Sequence, residues 1–557
     1  MKRDLGLLGE KQFDVLVIGG GIYGVCAAWD AALRGLSVAL IEKKDFGSAT
    51  SSNSLKIIHG GLRYLQHADF KRMRESISER STLMRIAPHL VHPLPCLMPT
   101  YGHAVKGREV MALALFINDL VGFDRNKGGD PQKSIPGGRI VSKSECRDLI
   151  PSVDEEGLTG AALWYDCQVY NAERMLISIL HSAVEAGAVV ANYVEMTRFT
   201  KSGERITGVQ AKDAISGDTF EIRAQVIINN TGPWVNDILR RLNGRQVETN
   251  TKLSSAMNIV VRRQLFSKYA VGVWSKSNFA DSDAIISKGS RLYFITPWRN
   301  YSVIGTTHGH YKGEANEFQI SEDDVGTFLS ELNQALPTLH LKREDICLVY
   351  SGMLPVDARE QTGDVKLLKQ YQIIDHKVRD GLEGLLSVVG VKYTTARDVA
   401  QRTVDRAFEK MGKTPPRCRT SETPIYGGKI EKFQDFLGEQ KRRSVNNLNG
   451  EQVERLVYNY GSEYSSVLKH AKEKMDLYQP VHETTPVLKA EVVHAARNEM
   501  AIKLADVVRR RTELGTAEFP GEEALESCAS IMADELAWNR SKVQSEITDT
   551  KAIYNLV

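Results

Sequence analysis

The run Gly19-Gly20-Gly21-Ile22-Tyr23-Gly24 places glycines at the fixed positions of a G-x-G-x-x-G turn. The first glycine permits a tight turn, and the second lets the backbone approach a pyrophosphate. The third lets a helix pack closely on the strand before it, while the helix N-terminus faces the phosphates. Glu42 lies 18 residues beyond Gly24, where a carboxylate can hydrogen-bond a ribose hydroxyl. The chemistry these residues serve is dinucleotide binding. Further along, His308 and His310 are two residues apart, so in a strand their imidazoles share one face, where one could act as a base.

A glycine-rich turn alone is a weak signal; its flanking elements give it meaning. Phe13–Ile18 (FDVLVI) reads as a buried parallel strand, Val25–Leu33 has helical spacing, and Ser37–Ile41 reads as a second strand. Strand, turn, helix and strand within about 30 residues make a βαβ unit. Further strands are expected at Ala188–Val194, Arg205–Val209, Ala224–Ile228, Asn258–Arg263, Arg291–Thr296, Tyr301–Thr306 and Leu385–Val389, with a helix over Thr395–Met411. Pro and Gly punctuation at Lys413–Pro416 and Thr423–Gly428 marks a linker, after which the sequence is charged and helix-periodic.

The fold class is therefore α/β: a Rossmann-type FAD-binding domain with an inserted mixed β-sheet substrate domain, plus a C-terminal α-helical domain. The boundaries expected are 11–415 for the first two, with FAD-binding parts at about 11–95, 160–240 and 345–412 and substrate-domain parts at about 96–159 and 241–344. The C-terminal domain is expected over 430–557. FAD is preferred to NAD because the fingerprint lies near the N-terminus, as in many flavoproteins. Two later turns, Asn230-Thr231-Gly232 and Gly390-Val391-Lys392, also supply further close backbone approaches.

With 557 residues the chain can bury a large cofactor, and its net charge of +3 argues against a dedicated nucleic-acid binder. No window holds the ~18 apolar residues a spanning helix needs, and Met1–Glu10 lacks the apolar core of a secretory signal. The seven scattered cysteines include no C-x-x-C pair, which points to reduced thiols rather than a disulfide framework, and no metal site is expected. A cytoplasmic protein is expected. The apolar run Met111–Phe123 is read as a buried core helix, with a membrane-surface helix as the alternative. Arg509-Arg510-Arg511 is read as a solvated or salt-bridged helix face.

The segment Thr50-Ser51-Ser52-Asn53-Ser54-Leu55-Lys56-Ile57-Ile58-His59-Gly60-Gly61-Leu62-Arg63-Tyr64 closely resembles the flavin-contacting segment of FAD-dependent glycerol-3-phosphate dehydrogenases and oxidases. Ala87–Leu90, Tyr165–Cys167, Asn230–Trp234, Ile304–Thr307, Tyr350–Gly352 and Lys392–Thr395 with Arg397 are similar to that family's motifs. Asp506 with Arg510–Thr512 resembles its C-terminal cap domain. The resemblance implies oxidation of a C–OH substrate by hydride transfer to flavin N5. Gly19, Gly21, Gly24 and Glu42 would hold the ADP half, with Ile22, Tyr23, Lys43 and Val194 beside them. Thr50, Ser51, Ser54, Lys56, Ile57, His59, Gly60 and Gly61 would wrap the phosphate and ring side, and Thr231 and Gly232 would close over the adenosine. Gly390, Lys392, Tyr393 and Thr394 would meet the ring's pyrimidine edge, and Arg63, Tyr64 and Lys392 would line the substrate side. Reduced flavin would pass its electrons to a quinone, another carrier or oxygen, a reading compatible with peripheral contact at the inner face of a membrane and with a homodimer.

The departures from the family pattern fall on the substrate side. Leu354 stands where the family has an arginine, Lys369 aligns with a second arginine, Asn258 replaces a histidine, and His308 replaces an aspartate. Leucine offers no charge, and lysine lacks the planar fork that matches phosphate oxygens. These changes point to an altered substrate. The alternatives are a genuine glycerol-3-phosphate dehydrogenase with replacement groups elsewhere, and a flavin-binding protein whose catalysis has decayed.

Overall fold

The computed structural model describes residues 1–557 except 104–106, 243–246, 277–290, 358–366, 391, 444–447 and 556–557. Val391, in the late glycine turn, lies outside the described residues. Two sheets carry the first four hundred residues. The first runs Gln372–Asp375, Leu385–Val389, Thr219–Asn229, Gln12–Ile18, Val38–Ile41, Val189–Ala191, and a hairpin of Val194–Ser202 and Arg205–Asp213 attaches to Thr219–Asn229. Its centre is parallel: Gln12–Ile18 pairs with Thr219–Asn229 on one side and Val38–Ile41 on the other. The apolar FDVLVI run is buried on both faces: Val15 and Val17 pack under helices, and Phe13, Leu16 and Ile18 pack against the hairpin and two short helices. Helix Ile22–Leu33 lies against helices Ala172–Glu185 and Ala396–Lys410, and its buried Gly24, Ala27, Ala28 and Ala31 allow that close packing.

The second sheet runs Ile346–Asp357, Thr251–Val261, Tyr301–His310, Leu292–Trp298, Ala270–Trp274, Val91–Tyr101, Leu158–Val169, Ile57–Ile58, with Arg139–Val141 also on Leu158–Val169. The boundaries drawn from the sequence cross this sheet. Val91–Tyr101 begins, and Leu158–Val169 and Ile346–Asp357 largely lie, within segments assigned to the FAD-binding part. Val91–Tyr101 went unread because Pro93, Pro95 and Pro99 argue against a strand. Their spacing points all three missing donors to one side of the strand. Pairing on one side runs from Val91 to Tyr101, whereas with Ala270–Trp274 it is confined to Cys96 and Leu97.

From Phe433 onward the chain is built from helices, including a π-helix at Val507–Arg511, around two apolar clusters. Arg509, Arg510 and Arg511 are all buried, so the solvated-face reading gives way to the salt-bridged one. Helix Arg108–Val121 overturns the expectation of a core helix. Leu113, Phe116 and Leu120 are 60%, 67% and 65% exposed, and Phe123 just beyond it is 81% exposed. Its bulky apolar residues gather on the side that faces away from the protein, whereas Leu115 and the polar Asn118 are buried.

Lys56 also departs from its expected role. It has a positive φ of 61°, and its ammonium is buried, paired with Glu173 at 2.6 Å and 3.0 Å from the Ser52 carbonyl. The rings of Tyr350 and Trp298 lie over it at 4.6 and 5.4 Å. The lysine ammonium is therefore committed to Glu173 and the Ser52 carbonyl and pins the segment Thr50–Gly61 from within. Glu173→Gln leaves a buried cation without its counter-charge, and we expect a loss of roughly 3–5 kcal/mol of stability, measured as a lower urea midpoint. An unchanged midpoint would show that Lys56 is neutral there.

Candidate active site

The glycine turn meets the strand Thr219–Asn229 at its C-terminal end. Gly19 has φ +107°, and a Cβ there would sit 2.6 Å from the Asn230 carbonyl oxygen. A Cβ on Gly24 would overlap the Gly19 carbonyl oxygen. Ser51 Oγ accepts the Ile22 N–H at 3.0 Å, capping the helix whose N-terminus faces the cleft. Glu42 accepts from the Gly20 N–H at 2.7 Å and the Lys44 N–H at 2.9 Å. Burial raises its pKa against the pull of those donors.

A cleft of about 1500 Å³ opens here, lined by Gly19, Gly21, Ile22, Tyr23, Glu42 and Lys43, and by Val194, Thr231 and Gly232. Asn230, at its edge, has a buried Oδ1 with no hydrogen-bond partner among the described residues. Lys43 Nζ lies 4.0 Å from the Trp234 ring centroid, and Asn316 Oδ1 accepts from both Lys43 (3.1 Å) and the Trp234 indole (2.7 Å). A long cleft over a parallel sheet edge, with backbones too close for any side chain, fits an extended dinucleotide such as FAD.

Of the flavin-segment residues, Thr50, Ser51 and Ser54 line the cleft; Lys56, Ile57, His59, Gly60 and Gly61 do not. Ile57 belongs to the second sheet, paired with Gln168. Gly60 donates its N–H to Asp166 at 2.5 Å, and a Cβ there would strike the Arg80 guanidinium. Gly61 takes φ +85° to begin the turn that carries Arg63 and Tyr64. Gly390, Lys392 and Tyr393 line the cleft, whereas Thr394 is buried behind it. Gly390 is pressed against the Tyr23 ring, and the Tyr23 hydroxyl donates to the Lys392 carbonyl (2.8 Å) and accepts its N–H (3.1 Å).

Among the residues expected to line the substrate side, Tyr64 is the organising ring. Lys392 Nζ stands 4.1 Å from its centroid, the Arg72 guanidinium 4.9 Å, and the His59 ring packs edge-on at 5.8 Å. Arg63 is exposed beside it. Burial, and then the charge of Arg72, lowers the Lys392 pKa to about 8. Burial lowers His59 to about 4; Asp166 opposes this, and Lys392, Arg63 and Arg80 reinforce it. His308 is also lowered to about 4, by burial with Arg63 and Arg291 nearby. Both imidazoles are thus neutral at pH 7. His308 and His310 follow one another in register opposite Ala256 and Ser254; His310 is exposed, whereas the buried Nδ1 of His308 has no hydrogen-bond partner among the described residues.

Arg72 was not singled out from the sequence. Its Nε pairs with Asp69 at 2.5 Å and its Nη1 donates to the Lys369 carbonyl at 2.9 Å. The available signal was its place on the inner face of helix Phe70–Ile86, with Ser76, Glu79 and Leu83. Lys369 thus meets this corner through its backbone. Asn258 lines the cleft as a tie: its amide donates to the Asn53 carbonyl at 3.1 Å, and its Oδ1 accepts the Thr306 hydroxyl at 2.7 Å. Leu354 lines the cleft. No group of His, Cys, Asp and Glu suited to a metal occurs among the described residues.

A profile described as FAD dependent oxidoreductase matches residues 14–387, and one for the C-terminal domain of alpha-glycerophosphate oxidase matches 418–543. A glycerol-3-phosphate dehydrogenase of Synechocystis is 32% identical over 98% of this chain and 97% of its own length. The mitochondrial glycerol-3-phosphate dehydrogenase of Mesocricetus auratus is 31% identical over 99% of this chain and 74% of its own. The solved structure of the Bacillus halodurans glycerol-3-phosphate dehydrogenase complexed with FAD superposes with a TM-score of 0.77 at 25% identity, covering 99% of this chain and 96% of that one.

Since Gly390 has no room for a methyl against Tyr23, Gly390→Ala should displace the Lys392 backbone and weaken FAD retention about tenfold or more. Flavin-to-protein absorbance of the purified variant checks this; wild-type flavin content would show that the turn does not touch the cofactor.

Proposed function

The chain belongs to the FAD-dependent glycerol-3-phosphate dehydrogenase family, and from that premise we propose that it oxidises the hydroxyl of a small anionic polyol, glycerol 3-phosphate first among the candidates. Bound FAD supplies the hydride acceptor for such an oxidation. The observation that carries the reading is the pair of cations, Lys392 and Arg72, held against one face-buried tyrosine with Arg63 beside them. Three positive groups at one corner favour an anionic substrate and hold it by charge-assisted hydrogen bonds. Arg72 donates to the Lys369 carbonyl, next to Leu368, whose N–H reaches the carbonyl of Pro355 beside Leu354, and its guanidinium offers the charge that the leucine lacks. His59 and His308, both neutral, are the proton acceptors this corner offers for the substrate hydroxyl. One observation favours a second reading, a non-phosphorylated substrate: Leu354 presents an apolar surface to the cleft.

The test is anaerobic bleaching of the flavin band by glycerol 3-phosphate, set against glycerol and other polyols. We expect glycerol 3-phosphate to reduce the flavin, and Arg72→Met to raise its KM about 10–100-fold with a smaller change in kcat. Lys392 is charged below its pKa of about 8, so KM for the anion should rise as pH climbs through that value. Removing Arg72 removes a charge that lowers this pKa, and the inflection should then move upward. His59→Asn and His308→Asn, compared at saturating substrate, identify the acceptor as the variant slowed ~10²–10⁴-fold. Reduction by uncharged polyols alone would sink the anionic reading.

We also assign the exposed apolar face of helix Arg108–Val121 to peripheral contact with a bilayer, where a quinone could take the electrons. Phe70, 49% exposed at the start of the neighbouring helix, extends the patch formed by Leu113, Phe116, Leu120 and Phe123. No described helix is long and apolar enough to cross a membrane, so such contact would be interfacial. Phe116→Glu with Leu120→Glu should abolish co-sedimentation with lipid vesicles while leaving dye-coupled turnover intact. A variant that sediments like the wild type, or a wild type that covers this face by dimerising, would overturn the assignment.

A further inference from the structure

The turn that follows the second parallel strand, Glu42–Gly47, is tied at both ends to elements of the FAD cleft. Glu42 accepts the Gly20 N–H at 2.7 Å, and Gly47 donates to the Gly20 carbonyl at 3.0 Å. The Glu42 N–H donates to the Ala191 carbonyl at 3.0 Å, and the Val194 N–H donates to the Glu42 carbonyl at 2.8 Å. Between these ties sits Asp45, 1% exposed, and it does not face the cleft. Its carboxylate faces the C-terminal helical domain.

Arg511 reaches both oxygens of Asp45 at 2.7 Å, a bidentate fork, and Arg510 Nε adds a third bond at 2.5 Å. Asn192 Nδ2 donates to Asp45 Oδ1 at 3.0 Å and to the Met500 carbonyl at 3.0 Å. The arginines are fixed in turn. Arg511 Nε donates to the Glu499 carbonyl at 3.0 Å, and Arg510 Nη2 donates to Asp506 at 2.8 Å. Asp506 also accepts the Tyr193 hydroxyl at 2.7 Å and the Ile502 and Lys503 N–H groups, each at 2.9 Å. Tyr193 N–H closes the circuit on the Lys44 carbonyl at 2.9 Å. Both consecutive arginines reach this carboxylate from a π-helical turn, a form that occurs mostly as a single turn and often at functional sites. Burial would raise the Asp45 pKa, but the two guanidiniums hold it well below the usual carboxylate range.

A buried network that gives one carboxylate four hydrogen bonds, placed against the turn of a ribose-facing acid, constrains that turn more than packing requires. We propose that Arg511 and Arg510 are positioning residues for the cofactor: through Asp45 they hold the Glu42–Gly47 turn so that Glu42 meets the adenosine ribose of FAD. The C-terminal domain thereby sets FAD affinity from a sequence distance of 466 residues. The inference rests on Glu42 as the ribose-holding acid.

Full-length apo-protein, stripped of flavin, is titrated with FAD by fluorescence quenching, and its melting temperature is read with and without FAD. Asp45→Asn, which is isosteric, and Arg511→Lys, which keeps the charge but not the fork, should each raise the FAD Kd at least about tenfold. Both should shrink the FAD-dependent rise in melting temperature. Arg299→Met is the control, because Arg299 pairs with Glu513 at 3.0 Å and fastens the same domain to the second sheet. It should lower both melting temperatures together and leave the Kd within about twofold. Wild-type FAD affinity in Asp45→Asn, or equal weakening by Arg299→Met, would overturn the proposal. Glu42→Gln separates the underlying reading. If it binds FAD normally, the ribose assignment fails, whereas weakened Glu42→Gln beside a normal Asp45→Asn condemns only the positioning role. Should Arg511→Lys not fold, Asp45→Asn carries the test.

Discussion

A dinucleotide laid across the edge of a parallel sheet needs protein backbone where side chains would otherwise stand. Here the requirement is met where the turn after the first strand passes the end of Thr219–Asn229. The Gly19 backbone stands so close to the Asn230 carbonyl that no Cβ fits, and Gly24 lies against the Gly19 carbonyl. That double approach fixes the angle of helix Ile22–Leu33, and the small residues of this helix let two further helices press on it. The cleft, the placement of Glu42 and the reach of the late glycine turn to Tyr23 all follow from it. The second sheet then brings Asn258, Thr306 and Leu354 to the cleft, with His308 further along the same strand as Thr306.

Buried charge organises the remainder. Lys56–Glu173 anchors the flavin segment from below, Arg397–Glu79 ties the late helix to helix Phe70–Ile86, and Asp45 receives the arginines of the C-terminal domain. Each pair joins segments far apart in the chain, and each would be costly to leave half-made. Such pairs specify which surfaces meet more than they add stability, since apolar contacts could supply equal burial with less geometric demand. The charges on the substrate side differ in kind. Lys392, Arg72 and Arg63 are gathered there, and burial first, then the charge of Arg72, lowers the Lys392 pKa against the pull of Glu75 and Asp69.

Much of the nucleotide half was legible because local spacing encodes it. A buried six-residue strand, a glycine turn and an acid at the end of the next strand depend on neighbours in sequence, and the hydrophobic period reveals them. The resemblance carried by Thr50–Tyr64 and the later motifs reached the family, as the full-length relatives show. Helix Arg108–Val121 shows the limit. Its apolar side reads like a core face, and only the neighbouring elements decide that this side is left open.

What the sequence determined by itself was the cofactor class, the βαβ unit that opens the chain and the helical character of its C-terminal part. Tertiary structure decided where individual side chains went. Lys56 reads like a phosphate contact and turns to Glu173, Asn258 reads like a lost base and serves as a tie, and Arg72 emerges over the Tyr64 ring. The physical reason is that a strand or turn is specified by residues a few positions apart. The partner of a buried charge is chosen by whatever the fold brings within about 3 Å, from any distance along the chain. Arg511 and Asp45 meet on those terms, and no local pattern announces it.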